Sequence, residues 1–342
     1  MTYDIWIVIL SSRYGRLDTG PSPDRRASVG GPGSAGSSGL PVRDHDQKGC
    51  FAMRTGSSPP HRYLGRKAAL ATKHQKERVL EPPLRAAVGL TVCVPDDLDT
   101  DQLGTFSGEV ERPGTPREVA LRKARWGMRT ADLPLGMASE GSFGPDPRLP
   151  FASADFELLA FIDDELGIQV VEQVLSSHTN FGVETGHTLD EVQDFLARAQ
   201  FPSHGLVVRP NSGLEPGFVF KGITTVDALR EAFDRSVAVS ADGLAHIETD
   251  MRAHMNPTRR KVLREAAVKL GRRLATLCPQ CRSPGWGRVD VVRGLPCEWC
   301  GRETELVRLE VQGCPRCEHR IAAPRRDGLL KAPADNCAWC NP

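Results

Sequence analysis

CPQCRSPGWGRVDVVRGLPCEWCGRETELVRLEVQGCPRCEHRIAAPRRDGLLKAPADNCAWC, residues 278–340, holds eight of the chain's ten cysteines as four Cys-x-x-Cys pairs. Such a pair sets two sulfurs on one side of a tight turn, and two pairs close a tetrahedron around Zn²⁺. The separations are Cys278-x2-Cys281-x15-Cys297-x2-Cys300 and Cys314-x2-Cys317-x19-Cys337-x2-Cys340, both in the window of four-cysteine zinc sites. The pairs alternate CPxC, CxWC, CPxC, CxWC, an internal repeat. That order predicts two sequential ribbons, with ligands Cys278, Cys281, Cys297 and Cys300 in the first and Cys314, Cys317, Cys337 and Cys340 in the second. Trp299 and Trp339 are expected to pack beside their own metals. Gly301 and Asn341 are expected to supply the positive φ that ends a knuckle.

Other uses of the cysteines fit less well. A disulfide framework needs an oxidising compartment, and the opening MTYDIWIVIL lacks the basic n-region of an export signal, so a cytoplasmic location is expected. A redox pair does not come in fours, and a catalytic zinc keeps an open position. Cys93 reads as a core residue of a strand. Cys50 is uninformative.

Working outward, TRRKVLREAAVKLGRRLATL after Pro257 reads as a helix, 257–277, that connects to the cysteines. Residues 61–256 alternate strands and helices, so the fold class is α/β, a mixed-sheet domain followed by a C-terminal double zinc ribbon over 278–342. RKAALAT (66–72) and GLTVCVP (89–95) read as strands, separated by a helix from Lys76 that bends or stops at Pro82-Pro83. Thr115-Pro116-Arg117-Glu118 is a capping box opening a helix to about 130. GMASEGSF (136–143) reads as a strand running into a Gly-rich loop. FELLAFID and IQVVEQVL flank DDELG as a hairpin. Thr188 with Glu191, and Thr224 with Asp227, read as caps of two further helices. GLVVRP (205–210) and GFVFKGI (217–223) read as short strands between them.

Residues 1–60 read as a disordered tail. About half of residues 20–60 are Gly, Pro or Ser, too little apolar surface to offset ordering. Met53 is the expected natural start. The net charge of +1 hides an asymmetry: residues 61–250 carry 19 basic against 29 acidic side chains, and 251–342 carry 18 against 9. Two ions held by eight thiolates add about −4 to the latter, which weakens a nucleic-acid reading from charge alone. No run of about 18 apolar residues exists, so no membrane helix is expected.

Three polar clusters carry candidate chemistry. Lys73, His74 and Lys76 stand where the first strand meets its helix, the place where amides and lysines bind phosphate; a solvated helix start explains them equally. Asp96, Asp97, Asp99, Asp101, Glu109 and Glu111, followed by Glu118 and Lys123, suit Mg²⁺ or a polar loop, and Glu118 has a cap as its plain explanation. Glu248, Asp250, Arg252, His254, Asn256 and Arg259 suit anion binding or acid–base work; alternation would put 248, 250, 252 and 254 on one face of an extended segment. Ser139-Glu140-Gly141-Ser142 reads as a strand-end loop of the kind where α/β sites gather.

ALATKHQKE, DTDQLGTFSGE, ASEGSFGPDP, TDMRAHMNPTR and the CPxC…CxWC tail together resemble a bacterial family, domain of unknown function 6671, from about residue 63 to the end. That resemblance implies no activity. A fainter similarity is to inosine triphosphatase-type nucleoside triphosphate pyrophosphatases, in Ala71-Thr72 followed by His74 and Lys76, in the Glu118-to-Lys123 spacing, and in Ala138 to Ser142 at the acidic loop. His74 stands where that family has Asn, the lysine is displaced by one, and one of its paired aspartates is missing. The similarity implies Mg²⁺ on Glu118 and Glu140 and a phosphate cradled by Lys76 and Lys123.

The expectation is thus a zinc-binding protein with two structural ions, as a Mg-dependent phosphohydrolase or nucleotide pyrophosphatase acting on a small phosphorylated molecule. Its catalytic groups are Glu118, Glu140, Asp250 and His254, and its substrate-binding groups are Lys73, His74, Lys76, Lys123, Arg252 and Arg259. The rival is a non-catalytic adaptor whose ribbons bind nucleic acid or protein, favoured by a basic helix with Arg259, Arg260, Lys261, Arg264, Arg272 and Arg273.

Overall fold

A computed structural model describes residues 61–73, 75–96, 98, 114–147, 149–213 and 217–342. The expectations for the 1–60 tail, His74, Asp97, Asp99, Asp101, Glu109 and Glu111 lie outside the described residues. Among the described residues no helix is long and apolar enough to cross a membrane.

The first sheet has the order β2-β1-β3-β4-β5, from β1 (Lys67–Ala71), β2 (Thr91–Cys93), β3 (Leu135–Asp146), β4 (Leu149–Asp163) and β5 (Ile168–Ser176). β1 is parallel to β2 and β3, whereas β3, β4 and β5 form antiparallel hairpins, so the sheet is mixed. Side chains alternate between its two faces. Met137, Leu159 and Phe161 pack with Leu80 and Leu84 of α1 (Glu77–Val88), beneath a long C-terminal helix described below. Ala138 and Ile162, on the other face, pack with Ala124 and Met128 of α2 (Pro116–Ala131). The two crossover helices therefore cover opposite faces.

A second sheet, order β6-β9-β7-β8, is wholly antiparallel: β6 (Val183–Gly186), β7 (Leu206–Pro210), β8 (Phe220–Ile223) and β9 (Ala245–Thr249). It has its own core, with Phe195 of α3 (Gln193–Arg198) and Leu229 and Phe233 of α4 (Val226–Val239) packed on Val208 and Ile247. The chain then returns to the first sheet as α5 (Pro257–Ala275), which begins with Asn256 as cap and Pro257 in its first turn. Val262, Ala266, Leu270 and Leu274 enter the first core, so α5 is a core helix as well as the link to the cysteines. At Gly271 a Cβ would lie 2.9 Å from that of Ala87, so α5 and α1 approach closely there.

Several local expectations are corrected. α1 does not stop at Pro82 and Pro83 but continues to Val88. The prolines remove two backbone donors, and the burial of Leu80, Pro83, Leu84 and Val88 holds the helix together. β3 does not end near 143: it stays paired to β4 as far as Asp146, so Ser139 to Ser142 are mid-strand residues. Thr188 does not cap a helix at 189; α3 begins only at Gln193, and the Glu191 carboxylate instead accepts the His187 backbone N–H. The cap of α4 is Thr225, one residue later than expected. The extended run supposed for 248–254 stops at Thr249, where Asp250 accepts the Arg252 N–H and starts a turn.

The cysteine module is a third sheet, β10 (Gly287–Arg293), β11 (Val307–Gly313) and β12 (Arg320–Pro324), antiparallel throughout. Arg273 on α5 ties it to the body. Its guanidinium donates to the carbonyls of Gly285 (3.1 Å) and Val171 (3.2 Å) and pairs with Glu172 at 2.7 Å.

Candidate functional site

The metal ligands are paired differently from the sequential expectation. Cys278, Cys281, Cys314 and Cys317 form one tetrad, and Cys297, Cys300, Cys337 and Cys340 form the other. The sites are interleaved, and the reason is strand reversal. β10 carries the chain away from the first knuckle to the second, β11 brings it back to set the third beside the first, and β12 carries it out again to set the fourth beside the second. Odd knuckles meet at one end of the sheet and even knuckles at the other. Both CPxC pairs share one site and both CxWC pairs the other.

The donor set fits zinc. Facing sulfurs lie 3.8 Å (Cys278–Cys317), 3.5 Å (Cys281–Cys314), 3.8 Å (Cys297–Cys340) and 3.6 Å (Cys300–Cys337) apart. A tetrahedron with Zn–S of about 2.3 Å has edges of about 3.8 Å. The two tetrads can thus hold two zinc ions. In the third knuckle the Arg316 and Cys317 amides point at the Cys314 sulfur, at 3.3 and 3.4 Å. The left-handed residues are Gly301 (φ 73°), as expected, and Arg282 (φ 58°) after the first knuckle; Asn341 is not among them. Trp299 and Trp339 lie in the two knuckles of one tetrad and not in separate ribbons. They are 76% and 67% exposed, and the Arg302 guanidinium carbon lies 4.1 Å from the Trp339 ring centre.

A second concentration of chemistry sits where β3 extends beyond the end of β1. Ala71, the last residue of β1, is level with Ala138, so Ser139 and its successors lie at the carboxyl lip of the parallel strands. On the α2 face, Lys123 Nζ pairs with Glu140 Oε1 at 2.6 Å, both side chains less than a tenth exposed. On the α1 and α5 face, Lys76 Nζ donates to Ser139 Oγ at 2.9 Å. Beside it, fully buried Arg259 donates through Nε to Glu157 at 2.6 Å and through Nη1 to the Met251 carbonyl, and its guanidinium lies 5.1 Å from the Phe143 ring centre. Gly141 makes room for this pair, since a Cβ there would fall 2.6 Å from Arg259 Nη2 and 2.8 Å from Glu157 Oε1.

Burial first, and then the positive charge of Arg259, pushes the Lys76 ammonium down to about 8 against the opposing pull of Glu157 and Glu140, with Lys123 contributing least. Asp155, two residues before Glu157 on the same face, is fully buried, and neither carboxylate oxygen has a hydrogen-bond partner among the described residues. Desolvation and the neighbouring Glu157 charge raise it to about 8.

The expected site residues divide accordingly. Lys76, Lys123, Glu140 and Arg259 come together around residues 139–143 of β3. Glu118 stands apart at the exposed start of α2: its carboxylate accepts the Thr115 N–H at 2.9 Å while its own N–H donates to Thr115 Oγ1 at 3.3 Å, the reciprocal capping box. That hydrogen bond holds its carboxyl below the usual range. Asp250 is buried and gripped by the Arg252 fork, with contacts of 2.6 to 3.1 Å. His254, in the same turn, is lowered by burial and then by Arg252. Lys73 is exposed. Asp155 and Glu157 did not figure among the expected site residues. Their signal was present: two acids at alternate positions inside ADFELLAFI, an otherwise apolar run.

The family domain of unknown function 6671 matches residues 123–342, and the chain belongs to that family. The match takes in Lys123, β3, β4, α5 and all eight paired cysteines. No curated protein matches the chain, and no solved structure does.

Proposed function

We propose that the protein is a phosphohydrolase acting on a small phosphorylated molecule, with the cysteine module as a zinc-stabilised appendage. One observation carries this reading: three cationic side chains, Lys76, Lys123 and Arg259, gather with Ser139, Glu140 and Glu157 on the two faces of the middle of β3, just past the carboxyl end of β1. Burying that many charges is costly, and a structural role alone is met more cheaply by apolar packing. Strongly shifted groups in such positions mark sites of chemistry, and strand carboxyl ends are where α/β sheets bind ligands. The fainter similarity to inosine triphosphatase-type pyrophosphatases assigns phosphate to Lys76 and Lys123 and Mg²⁺ to Glu118 and Glu140; the Lys123–Glu140 contact supports the part of it that concerns these two. Glu118 is committed to its cap, so Mg²⁺ enters through Glu140 without its expected companion. Paired thiols kept for metal suit a reducing, cytoplasmic setting.

The test is a screen of purified protein against nucleotides and phosphoesters, with Mg²⁺ and with chelator. Activity lost in Glu140→Gln and Lys123→Met, and kept in Glu118→Gln, is the expected pattern. Absence of turnover, or turnover indifferent to Glu140 and Lys123, overturns the reading.

One observation favours the adaptor as a second reading: two tryptophans stand exposed at the same metal site. Residues 278–342 carry ten basic and eight acidic side chains, so the metal-loaded module is net negative. A protein partner fits it better than nucleic acid. Salt-titrated binding to single- and double-stranded nucleic acid should be weak and without a steep slope.

A further inference from the structure

We infer that Ser139 is a nucleophile and Lys76 its general base, so that the phosphohydrolase works through a covalent phosphoserine. The substrate class rests on the proposed function; the dyad rests on geometry of its own.

Lys76 is placed by the chain around it. Gln75 takes a left-handed φ of 53°, turning the segment after β1, and Lys76 is then the cap residue of α1. Its side chain extends across the lip of the sheet to Ser139 Oγ, 2.9 Å away. Ser139 lies one residue past the last β1 pairing, on the face that α1 covers. Its cross-strand partner is Leu159, apolar and buried, so the hydroxyl is presented toward the amine by the pleat itself. Serine hydroxyls attack only when a base of matched strength removes the proton, and a lysine becomes such a base when buried near other cations. Lys76 is 6% and Ser139 6% exposed, and burial, followed by the neighbouring Arg259 charge, disfavours the ammonium against the opposite pull of Glu157 and Glu140. In the ammonium form Nζ donates to Oγ; in the amine form the same contact runs the other way, Oγ donating to Nζ.

The step balances as follows. Ser139 Oγ forms a bond to phosphorus, the bond from phosphorus to the leaving oxygen breaks, and the hydroxyl proton passes to Lys76 Nζ. The lysine ammonium then gives that proton to the leaving oxygen. Water then attacks phosphorus and loses a proton to Nζ, the bond from phosphorus to Oγ breaks, and the ammonium returns that proton to Oγ, which releases phosphate and restores Ser139 and the lysine amine. Arg259, on the same face but held by Glu157 and the Met251 carbonyl, contributes positive charge from behind the dyad and not as a direct phosphate ligand.

A fluorophosphonate tests the dyad without a known substrate, because attack by Oγ expels fluoride and leaves a stable adduct that peptide mass spectrometry locates. Ser139 is expected to be labelled at least tenfold faster than any exposed serine, with a rate that rises with pH to a plateau above about 8, and labelling is expected to vanish in Lys76→Met. The variant's fold is checked by far-ultraviolet circular dichroism and a cooperative thermal transition. If it does not fold, the pH profile of the unmodified protein decides. Ser139 labelled no faster than surface serines, labelled equally in Lys76→Met, or labelled with no plateau overturns the dyad. Labelling without turnover of any phosphoester sinks the phosphohydrolase reading and leaves the dyad standing. Phosphoester turnover that survives Ser139→Ala does the reverse.

Discussion

The cysteine module and the charge cluster around β3 both gather polar atoms that a folded chain ordinarily leaves in water, and they do it in opposite ways. In the module each ligand has its partner three residues away, and strand reversal supplies the other pair of the tetrad. In the cluster the members come from the start of α1, the middle of α2, β3, β4 and the first turn of α5. A divalent ion closing on thiolates contributes folding energy outright. Charges desolvated in pairs return little net energy, and each becomes a liability when its partner goes. Loaded with metal, the module would be a source of stability, whereas the cluster draws on stability supplied by the cores around it.

The largest expected effect separates the two pairings of the cysteines. Cys281→Ser with Cys314→Ser should remove one site and leave one zinc by native mass spectrometry. Cys281→Ser with Cys297→Ser should remove both, melting the 278–342 sheet, since a structural zinc is worth on the order of 10–16 kcal/mol of apparent binding free energy. Sequential pairing would give the reverse result.

Next in size is Arg259→Met, which strands Glu157 in a fully buried position. A loss of about 3–5 kcal/mol is expected in denaturant unfolding, with part of it returned when Glu157→Gln is added. A loss under about 1 kcal/mol would place the pair among solvent-exposed contacts, against its burial.

A pH slope is expected from Asp155. Its native pKa of about 8 stands above the unfolded value near 3.9, so the native state holds more protons between those limits. Its contribution to stability is complete below about pH 4 and lost as the pH rises through about 8. Asp155→Asn should flatten thermal stability across that window, and an unchanged slope would mean that Asp155 is charged in the folded protein.

The smallest effect concerns the tryptophans. Trp299→Ala and Trp339→Ala remove exposed rings, so stability should change by no more than about 0.5 kcal/mol and both zinc ions should stay. A large loss of either would mean that the rings support the metal site after all.

Much of the fold could be read from local pattern. β1, the β4–β5 hairpin, the capping box of α2 and the Pro257 start of α5 all follow from signals within a few residues. What could not be read depended on distant partners. α1 outlasts two prolines because α5, nearly two hundred residues on, packs against it. β3 continues through a Gly-Ser-Phe-Gly run because β4 pairs with it. The separate antiparallel sheet around β9 followed from no single motif. In the candidate site, Lys76, Lys123, Glu140 and Arg259 were named by residue type and position, but nothing local indicated that Arg259 would be entirely buried or that Glu157 would be waiting for it.

The sequence by itself determined the ligands: four Cys-x-x-Cys turns are short-range geometry, and each sets two sulfurs for a metal whatever the rest of the chain does. It determined equally that Glu118 would cap α2, because a capping box closes within four residues. Which knuckle shares an ion with which was decided only by tertiary structure, because three antiparallel strands return every second turn to the same end of a sheet. The site at β3 was decided the same way, since its charges meet only after two helices have covered opposite faces of one strand.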